Sequence, residues 1–94
     1  METSQDSLFE QAMARYQAGA AAEEVLPDFA RIVEVAPRQS AGWTFLAWLQ
    51  LLCDQPEEAL RAARFAVRLN GQDPQARSHL SLAFRETQSK GVRH

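Results

Sequence analysis

The stretch SAGWTFLAWLQLLCDQPEE (residues 40–58) shows most directly how this 94-residue chain folds. Within residues 43–53 only Thr44 and Gln50 are not apolar, so a helix formed here must be covered on most of its sides. The segment 54–58 that follows combines an acidic side chain, an early proline and two glutamates, which is typical of a helix start. The sequence therefore predicts a buried central helix, a short turn and a second helix.

The composition extends this helical prediction to the whole chain. Sixteen of the 94 residues are alanine, against nine valine, isoleucine and threonine residues combined, which favours helices over strands. With 46% hydrophobic and 23% charged residues, the chain has the balance of one small globular domain, without room for a two-domain enzyme.

Apolar spacing and turn signals predict five antiparallel helices joined by short loops. The expected bounds are 6–18, 23–36, 41–53, a fourth helix starting within 54–58 and closing at 70–71, and 74–88. Ser40, Asp54 and Asp73 are expected to cap the last three helices with their side chains. Pro27 is expected within the first turn of the second helix, where its missing N–H costs no hydrogen bond.

The chain also repeats itself. A shift of 34 positions brings apolar or small residues onto one another at nearly every helical position. Phe9 then aligns with Trp43, and a second shift carries Leu46 onto Leu80. The repeated unit is one helix, a turn and a second helix.

This 34-residue period resembles that of the tetratricopeptide repeat (TPR) family, over residues 6–88. The second unit carries the resemblance best, through residues 43–47 in its first helix and 59–70 in its second. It departs from the family at Gln50, where an aromatic residue is usual, and at Gly71, where a proline is usual.

The resemblance implies one domain, built as a right-handed superhelical stack of two repeats (6–39 and 40–73) and a capping helix (74–88). It also implies a non-catalytic protein–protein interaction module that binds an apolar peptide or helix segment in its concave groove. Two repeats are fewer than such stacks usually need, so a continuation of the chain or self-association would supplement the stability.

By the same resemblance, the first helix of each repeat and the capping helix line the groove. The nine expected groove residues are Glu10, Ala14, Gln17, Thr44, Trp48, Leu51, Ser78, Leu82 and Arg85. Trp48 has two open interpretations: a side chain that fills the core, or an exposed anchor for the partner. The carboxylate clamp of some family members is absent, because its positions hold Glu10, Ala14, Phe45, Gln75 and His79.

The charge is unevenly distributed within a net charge of −2. Residues 1–60 hold ten acidic and three basic side chains, whereas residues 61–94 hold two acidic and seven basic ones. This polarity predicts an alternative, structural function in which stacks associate end to end into homo-oligomers.

Three arginines of the fourth helix, Arg61, Arg64 and Arg68, share one face of that helix. The simplest interpretation is a solvated surface paired with Glu57 or Glu58. The functional alternative is a docking face for an acidic protein or RNA. Nucleic acid is the weaker candidate, because the net charge is negative and aromatic side chains, which would stack on bases, are not expected to interleave these arginines.

No catalytic residue, cofactor or metal site is expected. His79 stands alone on the fifth helix, and the glutamate pairs at 23–24 and 57–58 fit helix-start electrostatics better than acid–base chemistry. The single cysteine, Cys53, is expected to be a small buried hydrophobe. With an N-terminus unlike a signal peptide and no apolar run near roughly 20 residues, a cytoplasmic protein without membrane contact is expected.

Overall fold

The computed structural model describes the backbone of residues 5–92 and the side chains of residues 8–89. This part of the chain contains five helices packed against one another and no strand. They are α1 (Gln5–Gln17), α2 (Ala22–Val35), α3 (Ser40–Leu52), α4 (Pro56–Leu69) and α5 (Pro74–Val92). Loops of three or four residues join them, and loops this short reverse the chain between neighbouring helices. The predicted all-α fold is confirmed, and α5 runs past its expected end at Gln88.

Two helices end on a residue with positive φ. Gly19 (φ 110°) follows α1, and the Ala20 N–H beyond it donates to the Arg15 carbonyl at 3.0 Å. Asp54 (φ 60°) follows α3 in the same way, with the Gln55 N–H donating to the Gln50 carbonyl at 2.8 Å. Both are Schellman-type ends, in which the left-handed residue lets the chain satisfy the last helical carbonyls. Asp54 therefore terminates α3, and its predicted role as the cap of α4 is wrong.

The other predicted helix starts have mixed outcomes. Gln39 and not Ser40 precedes α3, and Ser40 is already helical, with its carbonyl accepting a hydrogen bond from Thr44 Oγ1 at 2.9 Å. Asp73 does cap α5, since its Oδ1 accepts the Gln75 N–H at 3.0 Å. Pro27 lies inside α2, beyond the first turn, because that helix begins at Ala22.

The core runs through the middle of the helix row. Phe29 of α2 is fully buried and meets Phe9 of α1 edge-on at 5.5 Å and Phe45 of α3 at 4.8 Å between ring centroids. The buried face of α4 is built from small side chains: Ala59, Ala62, Ala63 and Ala66. Since α3 packs against α2, α4 and α5, it is the central, widely covered helix that its composition predicts.

Candidate functional site

The face shared by α3 and α5 carries two open depressions on either side of Trp48. The first is lined by Phe45, Trp48, Gln75 and His79. The second is lined by Trp48, Leu51, Leu52, Leu82 and Glu86. Each has a volume of about 250 Å³, and together they form a largely apolar surface with a few polar groups at its edges. We call this surface the Trp48 face.

Trp48 itself is half-buried and connects three helices. Its Nε1 lies 3.4 Å from the Tyr16 hydroxyl oxygen of α1, a long hydrogen bond in which the indole donates. Its ring stacks on His79 of α5, with centroids 5.4 Å apart and planes inclined by 22°. The side chain therefore packs against the core on one side and borders both depressions on the other.

His79 lines the first depression and is oriented by a hydrogen bond to α3. Its Nδ1 lies 3.0 Å from the Thr44 carbonyl oxygen. A carbonyl oxygen can only accept, so Nδ1 must carry the proton, and in the neutral ring Nε2 holds a lone pair. Within the described chain this Nε2 makes no hydrogen bond.

The structure brings three of the nine predicted groove residues together, namely Trp48, Leu51 and Leu82. Five others are exposed but do not line either depression: Glu10, Ala14, Gln17, Ser78 and Arg85. The prediction for Thr44 is wrong. Its side chain is only 4% exposed, because it folds back so that Oγ1 donates to the Ser40 carbonyl one turn earlier.

Sequence reasoning missed the polar part of the Trp48 face. Gln75, His79, Leu82 and Glu86 follow one another on α5 at steps of four, three and four residues, so they lie on one side of that helix. Extending the stripe from Leu82 in both directions would have found the other three. The structure also adds Phe45 and Leu52 to the lining of this face, and neither is among the nine predicted groove residues.

A second surface lies on α4, where Arg61, Arg64 and Arg68 surround Phe65. The Phe65 ring is 42% exposed and stacks on Trp43 of α3, with centroids 4.7 Å apart and an interplanar angle of 23°. The Arg68 Cζ lies 5.8 Å from the Phe65 centroid, within the range of a cation–π contact. We call these four α4 residues the arginine face.

Two expectations about this face are wrong. Aromatic side chains do accompany the arginines, since Phe65 follows Arg64 directly in the sequence and Trp43 supports it from α3. The expected ion pairs with Glu57 or Glu58 are also not formed: within the described residues, none of the three arginines makes an ion pair. The three guanidinium groups therefore keep their charge available to a partner.

The depression between α1 and α2 has a different character. It measures about 200 Å³, and an ion pair between Arg15 and Asp28 lies on its wall. Because these opposite charges neutralise each other, this depression would attract a charged partner less strongly than the arginine face would.

The described residues give no sign of metal or thiol chemistry. No three His, Cys, Asp or Glu side chains among them come together as a metal-binding group. Cys53 is only half-buried, which corrects its expected full burial. Desolvation and, second, the negative charge of Glu23 raise the pKa of its thiol above the ordinary value, which disfavours the reactive thiolate. No described helix has both the length and the apolar character needed to cross a bilayer.

Comparison of the chain with protein-family models finds no match, and no curated protein is detectably similar to it. Over the described residues, the structure establishes an all-α protein of five helices packed against one another. The resemblance to the TPR family rests on the residue pattern alone.

Proposed function

We propose that this chain is a non-catalytic protein–protein interaction module that binds an apolar peptide or helix segment on the Trp48 face. In this proposal α1–α4 form two TPR-like repeats, α5 is the capping helix, and the stack has the family's right-handed superhelical form. The partner is another protein or a peptide. A cytoplasmic location belongs to the same proposal, since a single cysteine allows no internal disulfide.

The observation that carries the proposal is the position of Trp48. A half-buried indole, held from two sides by Tyr16 and His79, is a rigid amphipathic group that loses little entropy when a partner covers it. Side chains of this type, near the centre of a contact, supply most of the free energy of many protein interfaces.

The lining of the face indicates what the bound segment contains. Apolar side chains would fill the second depression, between Leu51 and Leu82. A donor such as a backbone N–H or a hydroxyl would meet the free Nε2 of His79 in the first. A segment with apolar anchors and one unpaired donor between them therefore fits both depressions at once.

Binding can be tested with peptides selected against the purified chain from a random-sequence display library. A synthetic version of a selected peptide is titrated by calorimetry into the wild type and into Leu82→Lys and Trp48→Ala variants. We expect each variant to bind roughly 30-fold more weakly, the loss typical of a hot-spot residue of about 2 kcal/mol.

The matched control is Phe84→Lys, which removes an α5 side chain that is 51% exposed and lines neither depression. It should bind like the wild type, and far-ultraviolet circular dichroism should show equal helicity in all four proteins. A peptide that binds Leu82→Lys as tightly as the wild type would remove the Trp48 face from the proposal.

A further inference from the structure

Along the sequence repeat, α2 and α4 carry opposite charge at one pair of corresponding positions, whereas Glu23 and Glu24 of α2 correspond to Glu57 and Glu58 of α4. Glu34 of α2 and Arg68 of α4 are 34 residues apart, one period of the sequence repeat. Glu23, Glu24 and Glu34 are all exposed on α2, and no ion pair of theirs is formed within the described residues. The chain thus presents unpaired carboxylates on one helix and unpaired guanidinium groups on another.

We propose that the arginine face of α4 docks on the acidic outer face of α2 in a second copy of this chain. Ion pairs among the described residues do not neutralise either set of charges. Both sets are therefore open to a partner of opposite charge, and the chain itself supplies one. Arginine suits this contact because its planar guanidinium can hold a carboxylate through two parallel hydrogen bonds.

The distribution of charge along the two helices sets their relative direction. In a parallel arrangement the glutamates that begin α2 would lie against Glu57 and Glu58, which begin α4. In an antiparallel arrangement they lie near Arg64 and Arg68, whereas Glu34, at the other end of α2, comes near Glu57 of α4. The antiparallel contact therefore brings fewer like charges together than the parallel one does.

The exposed ring of Phe65 adds apolar area to this contact. Exposed ion pairs contribute little to the free energy of association, so charge alone would give weak association. Phe65, already stacked on Trp43, is rigid and loses little side-chain entropy when covered. The result is an association that depends on both concentration and salt.

Nucleic acid fits this face less well. A phosphate backbone following the arginines along α4 would meet Glu57 and Glu58 within the next turn, and Glu58 lines the depression beside Trp43 and Phe65. The sequence pI of about 5.6 adds an unfavourable long-range field.

Sedimentation equilibrium of the full chain tests the proposal. At about 0.01 M salt, where charges act over about 30 Å, the apparent mass should rise with concentration above the 10.5 kDa monomer. At about 1 M salt, where the screening length is about 3 Å, it should return to the monomer mass.

Charge reversal identifies the two faces. Arg64→Glu and Glu24→Arg should each shift the wild-type association toward monomer, and an equimolar mixture of the two variants should restore it. Arg38→Glu, which makes the same charge change at an exposed loop position, should associate like the wild type. Since none of these residues lines the Trp48 face, peptide binding there remains a separate measurement.

A wild-type chain that is monomeric at every concentration in low salt would overturn the proposal. So would association that persists in 1 M salt, or Arg64→Glu and Arg38→Glu variants that behave alike. A monomeric chain that binds labelled oligothymidylate, and loses that binding in Arg64→Glu, would assign the arginine face to nucleic acid instead.

Discussion

Phe29 lies where three helices meet, and its ring contacts hold α1, α2 and α3 together. It is fully buried between Phe9 and Phe45. Replacing it with alanine removes the buried ring and leaves a cavity that the packed helices cannot close. We expect Phe29→Ala to lower the free energy of unfolding by about 3–5 kcal/mol, a large share of the roughly 5–15 kcal/mol typical of a small domain.

Urea denaturation followed by circular dichroism measures this loss. Phe84→Ala is the matched control, because it deletes the same ring from an exposed position of α5. Its effect should stay within about 0.5 kcal/mol. Comparable losses in the two variants would contradict the central role of Phe29.

Cys53 should titrate at higher pH in the folded chain than in the unfolded one. Burial first, and the charge of Glu23 second, raise the pKa of its thiol. The folded state then binds more protons than the unfolded state between the two pKa values. The contribution of Cys53 to the free energy of unfolding is therefore fully present below the pKa of the unfolded chain. It is lost as the pH rises through the pKa of the folded chain.

The rate of alkylation by iodoacetamide, measured against pH, gives the thiol pKa directly. Its midpoint should lie higher in the native chain than in urea, and Glu23→Gln should lower it by the smaller part of the shift. The Cys53→Ser variant should lose the corresponding fall in stability at high pH. A native midpoint at or below that of the unfolded chain would disprove the assignment.

At the scale of the helices, Gly42 sets how closely α2 and α3 approach. A Cβ placed there would lie 3.2 Å from Ile32 Cγ2 and 3.4 Å from Val33 Cγ1. We expect Gly42→Leu to destabilise the chain by about 1–3 kcal/mol, because the two helices would have to move apart. The neighbouring Ala41→Leu, at an exposed position of the same turn, should change the stability by no more than about 0.5 kcal/mol in the same urea titration. Equal effects at the two positions would show that the helices do not pack through Gly42.

The number and type of the helices could be predicted because apolar spacing is a local property of the chain. Their ends were harder to predict. An acidic residue shortly before a proline can cap the next helix, as Asp73 does directly before Pro74. It can also close the previous helix with a positive φ, as Asp54 does two residues before Pro56. The choice depends on how the chain must turn to pack the two helices, and a capping motif does not contain that information.

At the scale of the whole molecule, the helices form an elongated body of 52 × 28 × 19 Å. Its two candidate surfaces are separate, and the two tryptophans of α3 mark them. Trp48 stacks on His79 of α5, whereas Trp43, five residues earlier, stacks on Phe65 of α4. A peptide bound at the first surface and a second copy bound at the other would therefore occupy different sides of α3.

The sequence by itself determined the all-α class, the five helices, the central position of α3 and the cap at Asp73. Each of these follows from residues that are close together in the chain. Only the tertiary structure decided that Thr44 is buried, that Phe65 is exposed on Trp43, and that Trp48 is half-covered by His79. These outcomes depend on side chains from helices that are distant in sequence, and the exposure left to each residue is set by how closely those helices pack.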